Sequence, residues 1–120
     1  MSGDRAGGLA RLGRATDNSW QGLRAAWSHE EAFRQEIFLL LVMSPVAWWL
    51  GESGVERGVL LGVLLLILIV ELLNTAVEAV VDRVGTEDHP LSGRAKDLGS
   101  AAVLMSLVLA AMVWAFVIFT

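Results

Sequence analysis

Polar side chains interrupt an apolar stretch that is long enough to cross a lipid bilayer. The stretch runs from Val59 to Val81 and carries Glu71, Asn74 and Glu78, with Asp82 directly after it. An α-helix turns about 100° per residue, so the three acids fall within about 40° of one another and the amide lies about 60° to one side. Charged groups inside a membrane are costly, and they usually face a bundle interior or a wet cavity. We therefore interpret this face as a functional site.

Phosphoryl transfer at a membrane surface is a reaction that these groups suit. Mg²⁺ prefers carboxylate, phosphate and water oxygens, and Glu30 and Glu78 are candidates to hold it. The transferred group needs positive charge nearby, which Lys96 offers, and the attacking hydroxyl needs a base. Glu71 lies about 10 Å further along the helix than Glu78. At that depth it can meet the hydroxyl group of a lipid.

Each of these residues also has a structural interpretation. Glu71 can be a protonated acid bonded to a neighbouring helix, and Asn74 can join two helices. Solvation at the membrane surface accounts for Glu78 and Asp82, and a headgroup contact accounts for Lys96. The phosphate-binding patterns GxxxxGK[ST] and GxGxxG are both absent from the sequence. The shared face of the polar groups favours the functional interpretation over four separate structural ones.

The composition is that of a membrane protein. Of the 120 residues, 55% are hydrophobic and 18% are charged, and the mean hydropathy is +0.59, which is more apolar than a soluble domain. A soluble chain of this length cannot bury so much apolar surface. The absence of cysteine excludes disulfides and thiol chemistry. The net charge of −4 and the lack of a basic block argue against nucleic acid as a partner.

An amphipathic surface helix is predicted at residues 9–27. Its large apolar residues, among them Leu9, Trp20 and Trp27, fall on one helical face, while Arg11 lies on another. Tryptophan and arginine on such a helix favour a position in the membrane interface. A soluble helix packed on a core is the alternative.

Three spanning helices are predicted downstream, which makes the chain an all-α membrane protein with a single domain, 1–120. The predicted spans are 30–50, 55–82 and 98–119. Ser28 and Glu31 have the spacing of a capping box, which predicts a helix start there. The segment RVGTEDHPLSGRAKD is predicted to be a polar loop, because Pro90 and Gly93 punctuate it.

The basic residues predict the orientation in the membrane. The N-terminal arm carries five arginines, and the second loop carries Arg83, Arg94 and Lys96. The first loop has only Arg57. By the positive-inside rule the N-terminus and the second loop are cytoplasmic, and the C-terminus is periplasmic.

Four sequence blocks carry a resemblance to a known family. They are SWQGLRAAW (19–27), EEAFRQE (30–36), VELLNTAVEAVVDRVG (70–85) and SGRAKDLGSAAV (92–103). With these blocks the chain resembles the bacterial integral-membrane diacylglycerol kinases of the short three-span type. The pairing of ELLNTAVEAVVD with GRAKDLGSAAV is highly specific. The first turn and the third helix match in hydropathy alone.

The resemblance implies an activity and an assembly. It implies a homotrimer with active sites shared between subunits, in the bacterial cytoplasmic membrane. It implies phosphorylation of diacylglycerol to phosphatidic acid, with ATP as phosphoryl donor and Mg²⁺ as cofactor. Glu71 matches the general base of the family, and Glu30 and Glu78 match its metal-holding carboxylates.

The resemblance also implies binding residues. Those for ATP are Arg11, Asn18, Glu30, Glu78, Glu87, Asp88, His89, Lys96 and Asp97. Those for the lipid are Trp20, Arg24, Ala25, Ala26, Trp27, Phe33, Arg34, Gln35, Glu36, Trp49, Glu71 and Ser100. Supporting roles fall to Asn74, Asp82 and Arg94. The chain departs from the family pattern at Asp88 and Pro90, in the segment expected to lie against the adenine.

Two alternative functions remain at this stage. Related proteins phosphorylate undecaprenol, so a polyisoprenol kinase is the first, although the N-terminal helix and the SWQGLRAAW block favour diacylglycerol. The second is a non-catalytic oligomer that conducts protons or cations, with Glu71 as its intramembrane carboxyl group. This second alternative leaves the SGRAKD motif and the pair Glu30 and Glu78 unexplained.

Overall fold

The described residues form four helices. The computed structural model describes residues 2–85 and 88–120, with side chains described from residue 7 onward. The helices are α1 (Ser2–His29), α2 (Glu31–Leu50), α3 (Gly54–Val84) and α4 (Pro90–Phe119). The all-α prediction is thereby confirmed, and α1 extends beyond the predicted 9–27 at both ends. The chain divides into two compact units, Met1–Arg34 and Gln35–Thr120.

The first unit contains the junction between α1 and α2, where Glu30 is the single non-helical residue. The predicted helix start is confirmed, because α2 begins at Glu31, but the predicted cap is wrong, because Ser28 is still inside α1. The junction is held by longer side chains. Arg34 Nη1 donates to the carbonyl of Trp27 at 2.6 Å, and His29 Nδ1 lies 3.0 Å from the Ala25 carbonyl. The Trp27 carbonyl lies in the last turn of α1, where carbonyls lack partners within the helix, and the bond from Arg34 satisfies it across the junction.

A serine cap with the same Ser-x-x-Glu spacing does occur at the start of α3. Ser53 Oγ accepts a hydrogen bond from the Glu56 amide at 3.1 Å, and Glu56 Oε1 accepts one from the Glu52 amide at 3.3 Å. Ser53 has extended backbone angles, as an N-cap residue should. The Ser-x-x-Glu spacing that marks this start is the same as in the Ser28–Glu31 segment. Both segments mark a helix start, but Ser53 caps its helix, whereas Ser28 is itself helical.

The turn between α2 and α3 is tight because Gly51 has no side chain. A Cβ at Gly51 would lie 2.5 Å from Arg57 Cγ and 3.1 Å from the Ala47 carbonyl oxygen. Arg57 is itself anchored. Its Nε donates to the Trp48 carbonyl at 2.9 Å, and its guanidinium lies 4.6 Å from the centre of the Trp48 ring. Arg57 thus stabilises the turn through a cation–π contact and a hydrogen bond to a backbone carbonyl.

The antiparallel pair of α3 and α4 forms the main packing of the second unit. The buried face of α3 includes Leu60, Leu64, Ile67, Glu71 and Asn74, and the spacing alternates between four and three residues, as in a helix–helix seam. The carboxyl group of Glu71 and the amide of Asn74 therefore lie on the same stripe as the apolar core. They are the buried polar members of that stripe.

A hydrophobic core lies near the end of the unit that carries the tight turn. It joins Ala47 of α2 with three residues of the α3 stripe and with Ala110 and Trp114 of α4. Trp114 Nε1 donates to the Leu60 carbonyl at 3.2 Å in this core. The indole therefore fixes the register of α4 against α3 as well as filling space.

The beginning of α4 differs from the prediction. Residues 90–97 were predicted to be loop, but the helix begins at Pro90. Proline is favourable in the first turn of a helix because its missing N–H would have no partner there. His89 is the N-cap residue, and its Nδ1 accepts from the Leu91 amide at 3.1 Å. Pro90 therefore starts a helix in this chain and does not mark a loop.

Within the described part of the chain, α2, α3 and α4 are long and apolar enough to cross a membrane. At 1.5 Å per residue α3 and α4 are each about 45 Å long, which exceeds the bilayer core of about 30 Å. The C-terminal end of α3 and the start of α4 can therefore extend beyond the core on one side.

Candidate active site

Glu71 is buried in the middle of the site. Its side chain is 7% exposed, and a hydrogen bond joins it to the side chain of Glu36 on α2. An ionised carboxylate can only accept hydrogen bonds, so this bond requires a proton on one of the two acids. The sequence assigned Glu36 to the lipid groove and did not predict this contact. A one-dimensional pattern cannot reveal it, because the two residues lie on different helices.

Asn74 and Glu78 form the next layer of the site along α3. Asn74 Nδ2 donates to Glu78 Oε1 at 3.0 Å, an i, i+4 pair on one helical face. Asn74 is 9% exposed, whereas Glu78 is half-buried. The carboxylate accepts an amide proton and presents its remaining acceptor capacity to other donors or cations.

Asp82 and Lys96 close the end of the α3–α4 pair. Lys96 Nζ lies 2.8 Å from Asp82 Oδ1, and both side chains are largely exposed. The structural interpretation of Asp82 was solvation at the membrane surface, and the side chain is indeed exposed but is also paired with a cation. Its partner is the lysine that was predicted to meet phosphate. Because the pair is exposed, Lys96 can exchange Asp82 for another anion at small cost.

A pocket of about 570 Å³ opens beside this ion pair. It gathers three of the predicted nucleotide contacts, Asp88, His89 and Lys96, at the junction of α3 and α4. The remaining described lining residues are Val81, Asp82, Gly85, Pro90, Ser92 and Gly93. Predicted contact Glu87 lies outside the described residues. His89 uses Nδ1 as an acceptor in its cap, so Nε2 carries the proton of the neutral ring.

Other predicted residues of the second unit are exposed. Asp97 and Ser100 lie on open faces of α4, close in sequence to Lys96, and Arg94 is exposed as well. Gln35 is exposed at the start of the unit. Trp49 is 79% exposed near the far end of α2, about 20 Å along the helix from Glu36. Trp49 and Glu36 therefore lie towards opposite ends of α2.

The remaining predicted residues belong to the first unit. Most are exposed on α1, including Trp20 and Trp27, whereas Ala26 and Phe33 are buried. The full set is Arg11, Asn18, Trp20, Arg24, Ala25, Ala26, Trp27, Glu30, Phe33 and Arg34. Phe33 is only 2% exposed, so it does not offer an open surface to a lipid in this conformation.

A metal site is not complete within the described part of one chain, where no three His, Asp or Glu residues cluster closely enough to hold an ion. The donor type does fit Mg²⁺, because Glu30 and Glu78 both offer carboxylate oxygens. Magnesium is commonly bound by one or two carboxylates, with phosphate oxygens and water completing its octahedron. Glu78 has the carboxylate chemistry required of such a ligand.

Gly99 is a residue that sequence reasoning passed over. It lies against the Asn74 side chain. The sequence signal that could have found it is its place in the GRAKDLGSAAV block. Its spacing from Val103 and Ser106 also puts it on the α4 face that packs on α3.

Comparisons with known proteins extend over nearly the whole chain. The family model described as prokaryotic diacylglycerol kinase matches residues 17–118. The diacylglycerol kinase of Escherichia coli K12 is 48% identical over 113 residues, covering 94% of this chain and 93% of that protein. The Haemophilus influenzae Rd protein of the same name is 47% identical over 112 residues, covering 93% and 95%. That of Pseudomonas aeruginosa PAO1 is 50% identical over 111 residues, covering 92% and 90%.

Proposed function

The chain belongs to the prokaryotic diacylglycerol kinase family, and from this premise we propose that it transfers the γ-phosphoryl group of ATP to diacylglycerol. The chain is an enzyme that phosphorylates a lipid. Its family consists of multi-pass membrane proteins. The product is phosphatidic acid. The reaction takes place at the cytoplasmic face of the inner membrane, in a homotrimer whose active sites are shared between subunits.

The observation that carries the proposal is the buried carboxyl of Glu71 on a helix long enough to span the membrane. Its bond to Glu36 supports a role as general base. When Glu36 holds the shared proton, Glu71 is the carboxylate, and it can accept the proton of a lipid hydroxyl. The oxygen of that hydroxyl then attacks the γ-phosphorus, the bond to the β-phosphate oxygen breaks, and ADP leaves.

The exposed end of the α3–α4 pair supports the nucleotide half of the proposal. The pocket beside Lys96 is of a size that suits part of a nucleotide, and Lys96 can stabilise the transferred phosphate charge. Glu78, with Glu30, would hold Mg²⁺, which supplies charge neutralisation at the phosphates. The base then lies deeper than the nucleotide, so the water-soluble donor and the lipid acceptor approach from different sides.

A test of the proposal is a phosphoryl-transfer assay on the purified protein in mixed micelles. With Mg²⁺ and ATP we expect rapid phosphorylation of dioleoylglycerol and none when the metal is chelated. Undecaprenol is assayed in parallel at the same mole fraction. A preference for undecaprenol would make undecaprenol, and not diacylglycerol, the acceptor. Failure with every lipid alcohol would overturn the kinase proposal.

The proposed orientation has its own test. Single cysteines introduced in the first and second loops of this cysteine-free chain can be labelled from either side of intact spheroplasts. We expect an impermeant maleimide to label a residue next to Glu52 from outside and a residue next to Asp88 only after lysis. The reverse pattern would contradict a cytoplasmic second loop.

A further inference from the structure

Gly99 lies where the backbone of α4 meets the side chain of Asn74. A Cβ built on Gly99 would overlap Asn74 Oδ1 and would lie 3.2 Å from Asn74 Cγ. Real Cβ atoms essentially never come within 3.0 Å of another group, so an added methyl group would displace the amide. At Gly62 of α3, in contrast, a Cβ would meet nothing within 4 Å.

The orientation of the Asn74 amide follows from its two neighbours. The ionised carboxylate of Glu78 can only accept, so the NH₂ group of Asn74 must face it, as observed at 3.0 Å. The oxygen Oδ1 is then directed towards α4. It is buried and has no hydrogen-bond donor among the described residues, because the backbone amides of α4 are engaged within the helix.

The displaced amide has little room to move. Asn74 is more than nine-tenths buried, and a rotation that takes Oδ1 away from Gly99 also turns Nδ2 away from Glu78. A weak contact between the glycine Cα–H and the amide oxygen is the interaction that this close approach permits. The absence of a side chain at Gly99 is therefore coupled to the direction of the hydrogen bond from Asn74 to Glu78.

We propose that Gly99 is a positioning residue, which seats the Asn74 amide and through it orients the Glu78 carboxylate. This inference rests on the proposed function in one respect, namely that Glu78 holds Mg²⁺. Gly99 touches neither substrate nor metal in this scheme. It acts through Asn74, and any larger residue redirects the amide.

The direct test is the NMR signal of the Asn74 side-chain amide. The chain has two asparagines, Asn18 and Asn74, so asparagine-selective ¹⁵N labelling yields two pairs of side-chain NH₂ signals, which Asn18→Ser assigns. In Gly99→Ala we expect the Asn74 pair to shift or broaden while the Asn18 pair stays in place. Gly62→Ala is the matched control and should leave both pairs unmoved. An unshifted Asn74 pair in folded Gly99→Ala would overturn the inference.

The kinetic test separates positioning from general destabilisation. Loss of a charge-assisted hydrogen bond costs enough free energy to weaken the affinity for Mg²⁺ by about tenfold or more. We expect Gly99→Ala to raise the Mg²⁺ concentration for half-maximal rate by that factor, with a smaller change in the KM for diacylglycerol. In the Asn74→Ala background the same substitution should have no further effect. Additive losses in the double variant would contradict the coupling.

Failure to fold and failure to transfer phosphate have different consequences for this inference. If Gly99→Ala does not fold, Gly99→Ala/Asn74→Ala removes the clash and should restore folding, and its failure to fold would overturn the steric relation. If the wild-type protein transfers no phosphate, the proposed function fails, whereas the NMR comparison still decides whether Gly99 seats the amide.

Discussion

Glu71 combines burial with a hydrogen bond to a second carboxyl group, which sets what a substitution there should do. Glu71→Gln keeps the size and a hydrogen-bonding amide but removes the basic oxygen. We expect kcat to fall by about 10²- to 10⁴-fold, the usual contribution of general-base catalysis. Nucleotide affinity, measured with a fluorescent ATP analogue, should be unchanged because Lys96 and Glu78 remain.

The control for this substitution is Glu52→Gln, which neutralises an exposed acid in the first loop. It should retain wild-type kcat and the same thermal midpoint. A Glu71→Gln enzyme with wild-type turnover would show that the proton of the lipid hydroxyl is accepted elsewhere.

Glu36 offers a second prediction at the same scale. If it donates the shared proton to Glu71, then Glu36→Gln preserves a donor, whereas Glu36→Leu removes it and leaves Glu71 facing an apolar side chain. We expect the glutamine variant to remain within about tenfold of wild-type kcat, the scale of one charged hydrogen bond, and the leucine variant to lose much more. The measurement is the initial rate at saturating ATP and diacylglycerol. Equal losses in both variants would argue that Glu36 must be ionised.

The helices determine which residues can meet. The 4–3 spacing along α3 puts Glu71 and Asn74 on the stripe that carries Leu60, Leu64 and Ile67. The bond from Trp114 to the Leu60 carbonyl fixes how far α4 slides along that stripe. Register at one end of the pair therefore decides which α4 residue faces Asn74 at the other.

The turn between α2 and α3 provides a prediction about stability. In Gly51→Ala the new methyl group collides with Arg57 Cγ, and the arginine cannot retreat without losing its bond to the Trp48 carbonyl. Overpacking of this kind typically costs about 1–3 kcal/mol. We expect a lower unfolding midpoint in detergent, measured by denaturant titration.

Gly54→Ala is the matched control for the turn, because a Cβ at Gly54 meets nothing within 4 Å. It should unfold at the wild-type midpoint. If both variants unfold at the same denaturant midpoint, the turn does not depend on the lack of a side chain at Gly51.

The single chain leaves most of its apolar surface uncovered. Only 11%, 33% and 17% of the most apolar windows of the three spans are buried, so their other faces must meet lipid or further copies of the chain. This exposure is compatible with the proposed homotrimer. It also agrees with a metal site that is incomplete among the described residues of one chain.

Shared active sites make a prediction about mixed assemblies. Glu30→Gln and Glu71→Gln should each be nearly inactive alone. If a site takes Glu30 and Glu71 from different subunits, unfolding and reassembling the two variants together restores one intact site in some trimers. We expect a substantial fraction of wild-type activity in the mixture, measured per milligram of protein. Activity no higher than the sum of the two variants would place both residues in one subunit.

The sequence by itself determined the class of protein and the candidate spans, and it placed the polar residues of the candidate site on one helix. Hydropathy identifies the spans because burial in lipid follows composition, and the i, i+3 and i, i+4 spacing places Glu71, Asn74 and Glu78 near one helical face. Local signals were less reliable at helix ends. The same Ser-x-x-Glu spacing caps α3 at Ser53 but not α2 at Ser28, and Pro90 begins a helix that was predicted to start at Leu98.

The tertiary structure decided which of these residues contact one another. The bond between Glu36 and Glu71, the ion pair of Lys96 with Asp82, and the seat of Asn74 on Gly99 all join residues of different helices. Such contacts depend on the register of the helices, which many distant packing interactions set together. A one-dimensional pattern specifies the face of each helix, but the depth at which two faces meet is a property of the packed molecule.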